Sequence, residues 1–169
     1  VSADDEITHS VRRASFTIDP SSANAPERSE SVAASDAEWP QAVARYNLSV
    51  EAIVKTSSGG LVVSALDKNG FALGILAKGG VPAFRFAAGG NAVTVQGRTP
   101  VNDGKPHHLF AEVDRDAGFA VLYVDGRKAA SQRLTPGMKD ADASTGADLL
   151  VGKGFAGDID FLRIAHSSL

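Results

Sequence analysis

Short runs of alternating apolar and polar residues follow one another along most of the chain. In Asn47–Lys55 the apolar residues at even positions, from Leu48 to Val54, fall on one face of an extended strand. Further runs of this kind are Gly60–Leu66, Phe71–Ala77, Val81–Ala87, Ala92–Gln96, His107–Asp114, Phe119–Asp125, Arg127–Leu134, Asp148–Val151 and Asp158–Ala165. Strands spaced by roughly 8–12 residues are typical of an all-β sandwich or jelly roll. The pattern therefore predicts an antiparallel β-sandwich of about ten strands.

Turn-forming pairs separate these runs. Gly59-Gly60, Asn69-Gly70, Gly79-Gly80 and Gly89-Gly90 all lie between predicted strands. Asp125-Gly126 predicts a two-residue hairpin turn, with Val124 opposite Arg127 and Leu122 opposite Ala129. The best helix candidate, Ala37–Ala44, is interrupted by Pro40, so we expect no long helix.

The first 45 residues follow a different pattern. Ser10–Asp19 alternates and predicts one further strand. Pro20–Glu38 is polar, with Val32 as its only branched apolar residue, and is predicted to be a long loop or linker. We therefore divide the chain into residues 1–45, a strand plus linker, and residues 46–169, the sandwich domain.

Composition narrows the function classes. The 169 residues are 43% hydrophobic, which suits one globular domain, and the net charge of −3 argues against a nucleic-acid partner. No apolar run is long enough for a membrane span. The chain has no cysteine, which excludes disulfides, zinc–thiolate sites and thiol nucleophiles. Because the chain begins at Val1, we expect it to be a piece of a longer protein.

Four segments carry a resemblance to a known family. They are SVEAIVK (Ser49–Lys55), VNDGKPHHL (Val101–Leu109), FAVLYVDG (Phe119–Gly126) and ADLLVGKGFAGDIDFLRI (Ala147–Ile164). In this order and spacing they resemble the laminin-G-like domains of the concanavalin A-like lectin/glucanase superfamily. Ile53 and Pro106 stand where that family usually has Trp, and Phe161 stands where it often has Glu. The loss of the two Trp residues changes core packing more than fold, because apolar replacements can still fill the space.

The resemblance implies a non-catalytic recognition or accessory module of a larger extracellular protein. Carbohydrate is the first expected partner, and a neighbouring protein domain is the alternative. Secretion, display at the cell surface or, in a bacterium, export to the periplasm are the locations that this family implies. The fold alone does not decide among these functions, because lectins, enzymes and adhesion domains all use this sandwich.

A glycoside hydrolase is a second alternative, because the run from Glu112 through Asp114 to Asp116 is similar to the carboxylate strand of the superfamily's glucanases. Asp116 is shorter than the Glu expected there, and Asp116-Ala117-Gly118 is typical of a turn. We therefore interpret Glu112 and Asp114 as residues of a solvated outer face and expect no catalysis.

Asp160 is the candidate metal ligand. It is predicted to share a strand face with Leu162 and Ile164, and a carboxylate on an apolar face needs backbone donors, a cation or a metal. Relatives in the superfamily often bind a structural calcium ion with an Asp at this point. The sequence leaves open a calcium site or an Asp160 bonded to backbone N–H groups.

Trp39 and Tyr46 are the candidate ligand-binding residues. Either ring can stack on a sugar, or hold the N-terminal segment against the sandwich as a staple. The adjacent His107 and His108 are predicted to point to opposite faces of their strand, with His107 inward, so they cannot chelate one ion together.

Overall fold

The computed structural model describes residues 16–18, 30–32 and 47–167, and nearly all of them belong to β-strands or the turns between strands. The strands are β1 (Phe16–Ile18), β2 (Glu30–Val32), β3 (Asn47–Thr56), β4 (Gly60–Leu66), β5 (Gly70–Ile75), β6 (Pro82–Ala88), β7 (Asn91–Gln96), β8 (Pro106–Asp114), β9 (Phe119–Val124), β10 (Arg127–Arg133), β11 (Leu149–Val151) and β12 (Gly157–Ser167). A single turn of helix, α1 (Pro136–Lys139), lies between β10 and β11. The predicted all-β fold is confirmed.

The strands form two antiparallel sheets of six. Sheet A has the order β1-β12-β3-β8-β9-β10, and sheet B has the order β2-β11-β4-β5-β6-β7. Strands that are distant in sequence, such as β12 and β3, are neighbours in space, as in a jelly roll. The two sheets face each other across one hydrophobic core.

The core consists of the inward-facing alternate residues of both sheets. Sheet B contributes its largest side chains, Phe71, Phe84 and Phe86, all of which are fully buried. Sheet A contributes smaller residues, for example Val50 and Leu122. Large side chains from one sheet facing small ones from the other fill the space between the sheets at close to crystal density.

Both short N-terminal strands belong to these sheets. Phe16–Ile18 pairs with β12 and lies inside the strand predicted at Ser10–Asp19. Glu30–Val32 pairs with β11, so this part of the predicted linker Pro20–Glu38 is a strand. The sequence could not show this, because three residues are too few to display a strand pattern and the pairing uses the edge of β11.

Three β-bulges break the alternation of the strands, at Val62, Ala129 and Asp160. The Asp125-Gly126 turn has positive φ at both residues, 50° and 77°, and Val124 pairs with Arg127 as predicted. The predicted pairing of Leu122 with Ala129 is wrong, because the bulge places Ala130 opposite Leu122.

Within the described ranges, no helix is both long and apolar enough to cross a membrane.

Candidate functional site

The outer face of sheet B forms a groove floored by small residues. Ala72 and Gly74 of β5 and Ala83 of β6 all point away from the core, because their neighbours Phe71, Leu73 and Phe84 point into it. In the pairing register Gly74 lies between Leu61 and Ala83, and Ala72 lies between Ser64 and Arg85. A depression therefore follows the middle strands of the sheet.

Close backbone packing keeps this floor low. A Cβ atom built on Gly74 would lie 2.9 Å from the carbonyl oxygen of Gly60, inside van der Waals contact. The groove contains two adjoining cavities of about 690 Å³ and about 670 Å³. Five residues line both cavities, namely Leu61, Ala72, Arg85, Lys153 and Gly154. The cavities are therefore parts of one continuous groove.

The rim of the groove carries two cations. Arg85 rises from β6 between Ala72 and Thr94, and Lys153 stands on the turn between β11 and β12. Both side chains are exposed, and neither makes a hydrogen bond or ion pair with the described residues. No Asp or Glu occurs among the described residues that line the two cavities. The groove is therefore a locally positive surface on a chain of net charge −3.

Loops close one end of the groove. Ser58, Gly59, Leu76 and Ala77 line it there. The side-chain amide of Asn102 donates to the Ser58 carbonyl oxygen at 3.2 Å, which ties this wall to the loop before β8. Leu76, 39% exposed, is the large apolar residue that this wall leaves to solvent.

The outer face of sheet A has a different character. It carries four half-buried aromatic residues, Phe110, Phe119, Tyr123 and Phe161. The ring centroids of Phe110 and Tyr123 are 5.9 Å apart, and the Arg133 guanidinium lies 5.0 Å from the centroid of Phe119. The other Phe side chains of residues 47–165, namely Phe71, Phe84, Phe86 and Phe155, are buried in the core.

A charged cluster lies on the same face of sheet A. Glu51 of β3 accepts from His108 Nε2 at 2.8 Å and from Arg163 Nη2 at 2.6 Å. Its three members come from three adjacent strands, β8, β3 and β12. Because these charged groups already pair with one another across neighbouring strands, we interpret the cluster as stabilising sheet A and not as a binding site.

His107 joins two of the motifs that carry the family resemblance. Its Nδ1 lies 2.8 Å from Asp125 Oδ2 and its Nε2 lies 3.0 Å from Asp103 Oδ1. The other oxygen of Asp125 accepts the backbone N–H of His108 at 2.9 Å. The two motifs are thus hydrogen-bonded to each other at the end of the β9–β10 hairpin.

Three pKa values shift in this group. Partial burial, the largest single effect, lowers the pKa of His107, but the hydrogen bonds and charges of Asp125 and Asp103 outweigh it, and the net pKa is raised. The pKa of Asp103 is lowered, chiefly by the backbone N–H of Lys105. For Asp125, burial acts to raise the pKa, and the bonds from His107 and His108 reverse this and lower it.

The predicted opposite orientation of His107 and His108 is confirmed, because they bond to different partners on different faces. The two carboxylates around His107 were not foreseen. The signal was present in the sequence, since Asp103 and Asp125 are the acidic residues of the two motifs, but only the pairing of β8 with β9 brings them to one ring.

The carboxylates considered for catalysis lie on the outer face of sheet A, opposite the groove. Glu112 is paired with Ser49 and Val121. Asp114 accepts the backbone N–H of Ala117 at 2.8 Å and so closes the turn after β8. Asp116 is an exposed residue of that turn. The predicted solvated face ending in a turn is confirmed.

The predicted burial of Asp160 is wrong. Asp160 is the bulge residue between Ile159 and Phe161, so it leaves the face that Leu162 shares with the core and is exposed. A calcium ion takes about six to eight oxygen ligands. The described residues hold no group of three or more His, Asp or Glu side chains suited to a metal ion, and Asp160 alone does not fit such a site. The calcium site stays a prediction. It is tested by whether calcium raises the melting temperature of the protein.

The candidate sugar-binding residues Trp39 and Tyr46 lie outside the described residues, as does the helix candidate Ala37–Ala44.

Comparison with known proteins identifies the family. The family model Laminin_G_3, described as the concanavalin A-like lectin/glucanases superfamily, matches residues 27–169. The chain belongs to this family. The predicted resemblance is confirmed, and the match includes part of the segment interpreted as a linker. No curated protein matches the sequence.

Several solved structures share the laminin-G-like sandwich. Domains LG4-5 of the mouse laminin α1 chain match at 22% identity with a TM-score of 0.60, over 74% of this chain. The chain spans 37% of that laminin chain. The CBM40 module of a Ruminococcus gnavus IT-sialidase, solved with α2,3-sialyllactose, matches at 12% identity with a TM-score of 0.69. That alignment covers 92% of this chain and 90% of the module. At these identities the likeness establishes the fold.

Proposed function

We propose that this laminin-G-like chain is a non-catalytic carbohydrate-binding module of a larger extracellular protein, and that the glycan lies in the groove of sheet B. The observation that carries the proposal is the groove itself. Its volume of about 690 Å³ lies in the ordinary range for small-ligand sites, roughly 300–1,000 Å³. Its rim offers the side chains of Thr94, Arg85 and Lys153 as hydrogen-bonding groups.

The shape of the floor favours a sugar over a purely apolar ligand. Ala72, Gly74 and Ala83 leave room for a ring to approach the sheet closely, and Leu61 offers an apolar side wall. Sugars combine apolar C–H faces with a rim of hydroxyl groups, so they suit an apolar floor with polar edges.

The structural neighbours support this proposal. The CBM40 module covers nearly the same length as this chain and was solved with sialyllactose. The binding domain of botulinum neurotoxin DC, solved with SialylT, matches at a TM-score of 0.53 over 74% of this chain. Both are binding modules, which also supports a non-catalytic role.

Glycan-array screening followed by titration calorimetry tests the proposal. We expect binding to a subset of glycans, and we expect Ala72→Trp to abolish it, because the indole would fill the floor that both cavities share. The matched control is Ala165→Trp, which places the same side chain on the outer face of sheet A, opposite Ser49. Equal binding by both variants would show that the glycan lies elsewhere, and no binding to any glycan would refute the function.

A protein-contact module is the second candidate, and the aromatic face of sheet A favours it. Surface Phe and Tyr side chains at this density are typical of interface cores. Sedimentation of the wild type and of the double variant Phe110→Ser, Tyr123→Ser measures whether this face mediates association. Concentration-dependent association lost in the variant would favour this second function.

A further inference from the structure

We infer that the groove of sheet B selects anionic sugars, meaning glycans that carry a carboxylate or sulfate group, through Arg85 and Lys153. This inference rests on the proposed function and names the ligand class of the same groove. Two cations line both cavities, and no carboxylate lines either of them within the described structure.

Arg85 lies above the floor, and its guanidinium has no partner among the described residues. Its two cross-strand neighbours on this face are Ala72 and Thr94, which are too short to cover it. The Arg85 stem can lie along the apolar floor while the planar fork stays available to solvent. A fork of N–H donors binds a carboxylate or sulfate with two parallel hydrogen bonds.

Lys153 is held in place by its backbone. Its carbonyl oxygen accepts the N–H of Leu61 at 3.2 Å, and the preceding Gly152 donates to the carbonyl oxygen of Val62 at 3.0 Å. These bonds fix the turn against β4, so the Lys153 side chain starts from a fixed point on the wall of the groove. Lys153 lies on the side of the groove away from Thr94. It offers the anionic group a second positive contact, and no carboxylate among the described lining residues neutralises that charge.

Their position in the groove sets Arg85 and Lys153 apart, because other exposed cations such as Arg127 and Lys128 also have no ion-pair partner among the described residues. Arg163 is paired with Glu51, Arg133 lies over Phe119, and Lys139 donates to the carbonyl oxygen of Asp116. Arg85 and Lys153 have no such partner among the described residues, although the chain has more acidic than basic side chains. Thr94, opposite Arg85, adds a hydroxyl group for a neutral oxygen of the same sugar.

Three probes test the inference, namely lactose, 3′-sialyllactose and 3′-sulfolactose, which share a core and differ in the anionic group. We expect both anionic sugars, or one of them, to bind at least about tenfold more tightly than lactose, with the advantage reduced at about 0.5 M salt. The double variant Arg85→Gln, Lys153→Gln is expected to lose that advantage, so that it binds the two anionic probes no more tightly than it binds lactose. The matched control is Arg127→Gln, Lys128→Gln on β10, which makes the same change in net charge away from the groove.

The outcomes separate the inference from the proposed function. Preference for only the sialylated or only the sulfated probe supports the inference and identifies the anionic group. Equal binding of lactose and the anionic probes, or equal loss in the groove variant and the β10 control, overturns the inference while glycan binding stands. If none of the three probes binds, the inference is overturned. The glycan array and the Ala72→Trp variant then test the proposed function independently.

Discussion

At the residue scale, His107 does most to connect the family motifs to the fold. Its ring is flanked by Asp103 and Asp125, and only 16% of its side chain is exposed. Each nitrogen faces a carboxylate, an arrangement that suits the doubly protonated ring. The group therefore fixes the loop before β8 to the β9–β10 turn when His107 is charged.

This geometry makes part of the stability dependent on pH. Because the pKa of His107 is raised in the folded state, its contribution is full below the unfolded value of about 6.5 and is lost as the pH rises through the raised value. The pKa values of Asp103 and Asp125 are lowered, so their contributions are present above about pH 3.8 and are lost as the pH falls through the lowered values. The window of full stabilisation lies between these limits.

We expect His107→Gln to lower the melting temperature most at about pH 5 to 6, and the difference from wild type to shrink towards about pH 9. Thermal unfolding of both proteins across this range measures it. Asp125→Asn is the companion variant, because it keeps an oxygen for the His108 N–H but removes the charge. A difference that stays constant with pH would contradict the electrostatic explanation.

At the element scale, the close approach of β5 to β4 sets the depth of the groove. A Cβ on Gly74 would meet the Gly60 carbonyl oxygen at 2.9 Å and the Cα of Leu61 at 3.3 Å. These contacts are to backbone, which can move only if the strands separate.

We expect Gly74→Ala to lower the free energy of unfolding by about 1–3 kcal/mol, since the sheet must open to admit the methyl group. Urea unfolding measures this loss. Gly137→Ala is the control, because it adds the same methyl group in α1 with no neighbouring atom nearer than 3.6 Å. Equal effects of the two substitutions would argue against a close-packing role for Gly74.

At the scale of the whole molecule, Arg115 helps to close one end of the sandwich. The residue is 4% exposed, its backbone N–H donates to Asn47 Oδ1, and its Nη1 donates to the Ala141 carbonyl oxygen at 2.7 Å. Its guanidinium carbon lies 5.2 Å from the centroid of Phe86. Nε and Nη2 have no hydrogen-bond partner within the described structure. Burial lowers the pKa of Arg115, and the charges of Asp142 and Asp140 offset this effect only in part.

We expect Arg115→Met to leave the free energy of unfolding unchanged or to raise it, because an apolar chain of similar length keeps the packing and removes the unpaired donors. Arg115→Ala should lower it by about 2–4 kcal/mol through the cavity left beside Phe86. Denaturant unfolding of both variants measures the difference. Equal losses in the two variants would show that the charge itself is needed.

The fold could be predicted to a large extent, and the site to a small one. The strand Gly60–Leu66 was predicted with its observed bounds, and Asn47–Lys55 to within one residue. Arg85 was not singled out, because an Arg between two Phe residues in an alternating strand is an ordinary outward-facing residue. It becomes a candidate ligand-binding residue only when β5 and β7 place Ala72 and Thr94 beside it.

The sequence by itself determined the strands from β3 onward, but not β2, because alternation with a period of two and turn-forming glycine pairs are local properties. It also determined the family, through motifs whose acidic residues meet at His107. Only the tertiary structure decided which sheet carries the groove and which way the bulged residues point. Asp160 shows the reason, since one extra residue opposite β3 turned its side chain from the core to solvent. A bulge is set by the pairing of two strands, and neither strand alone contains that information.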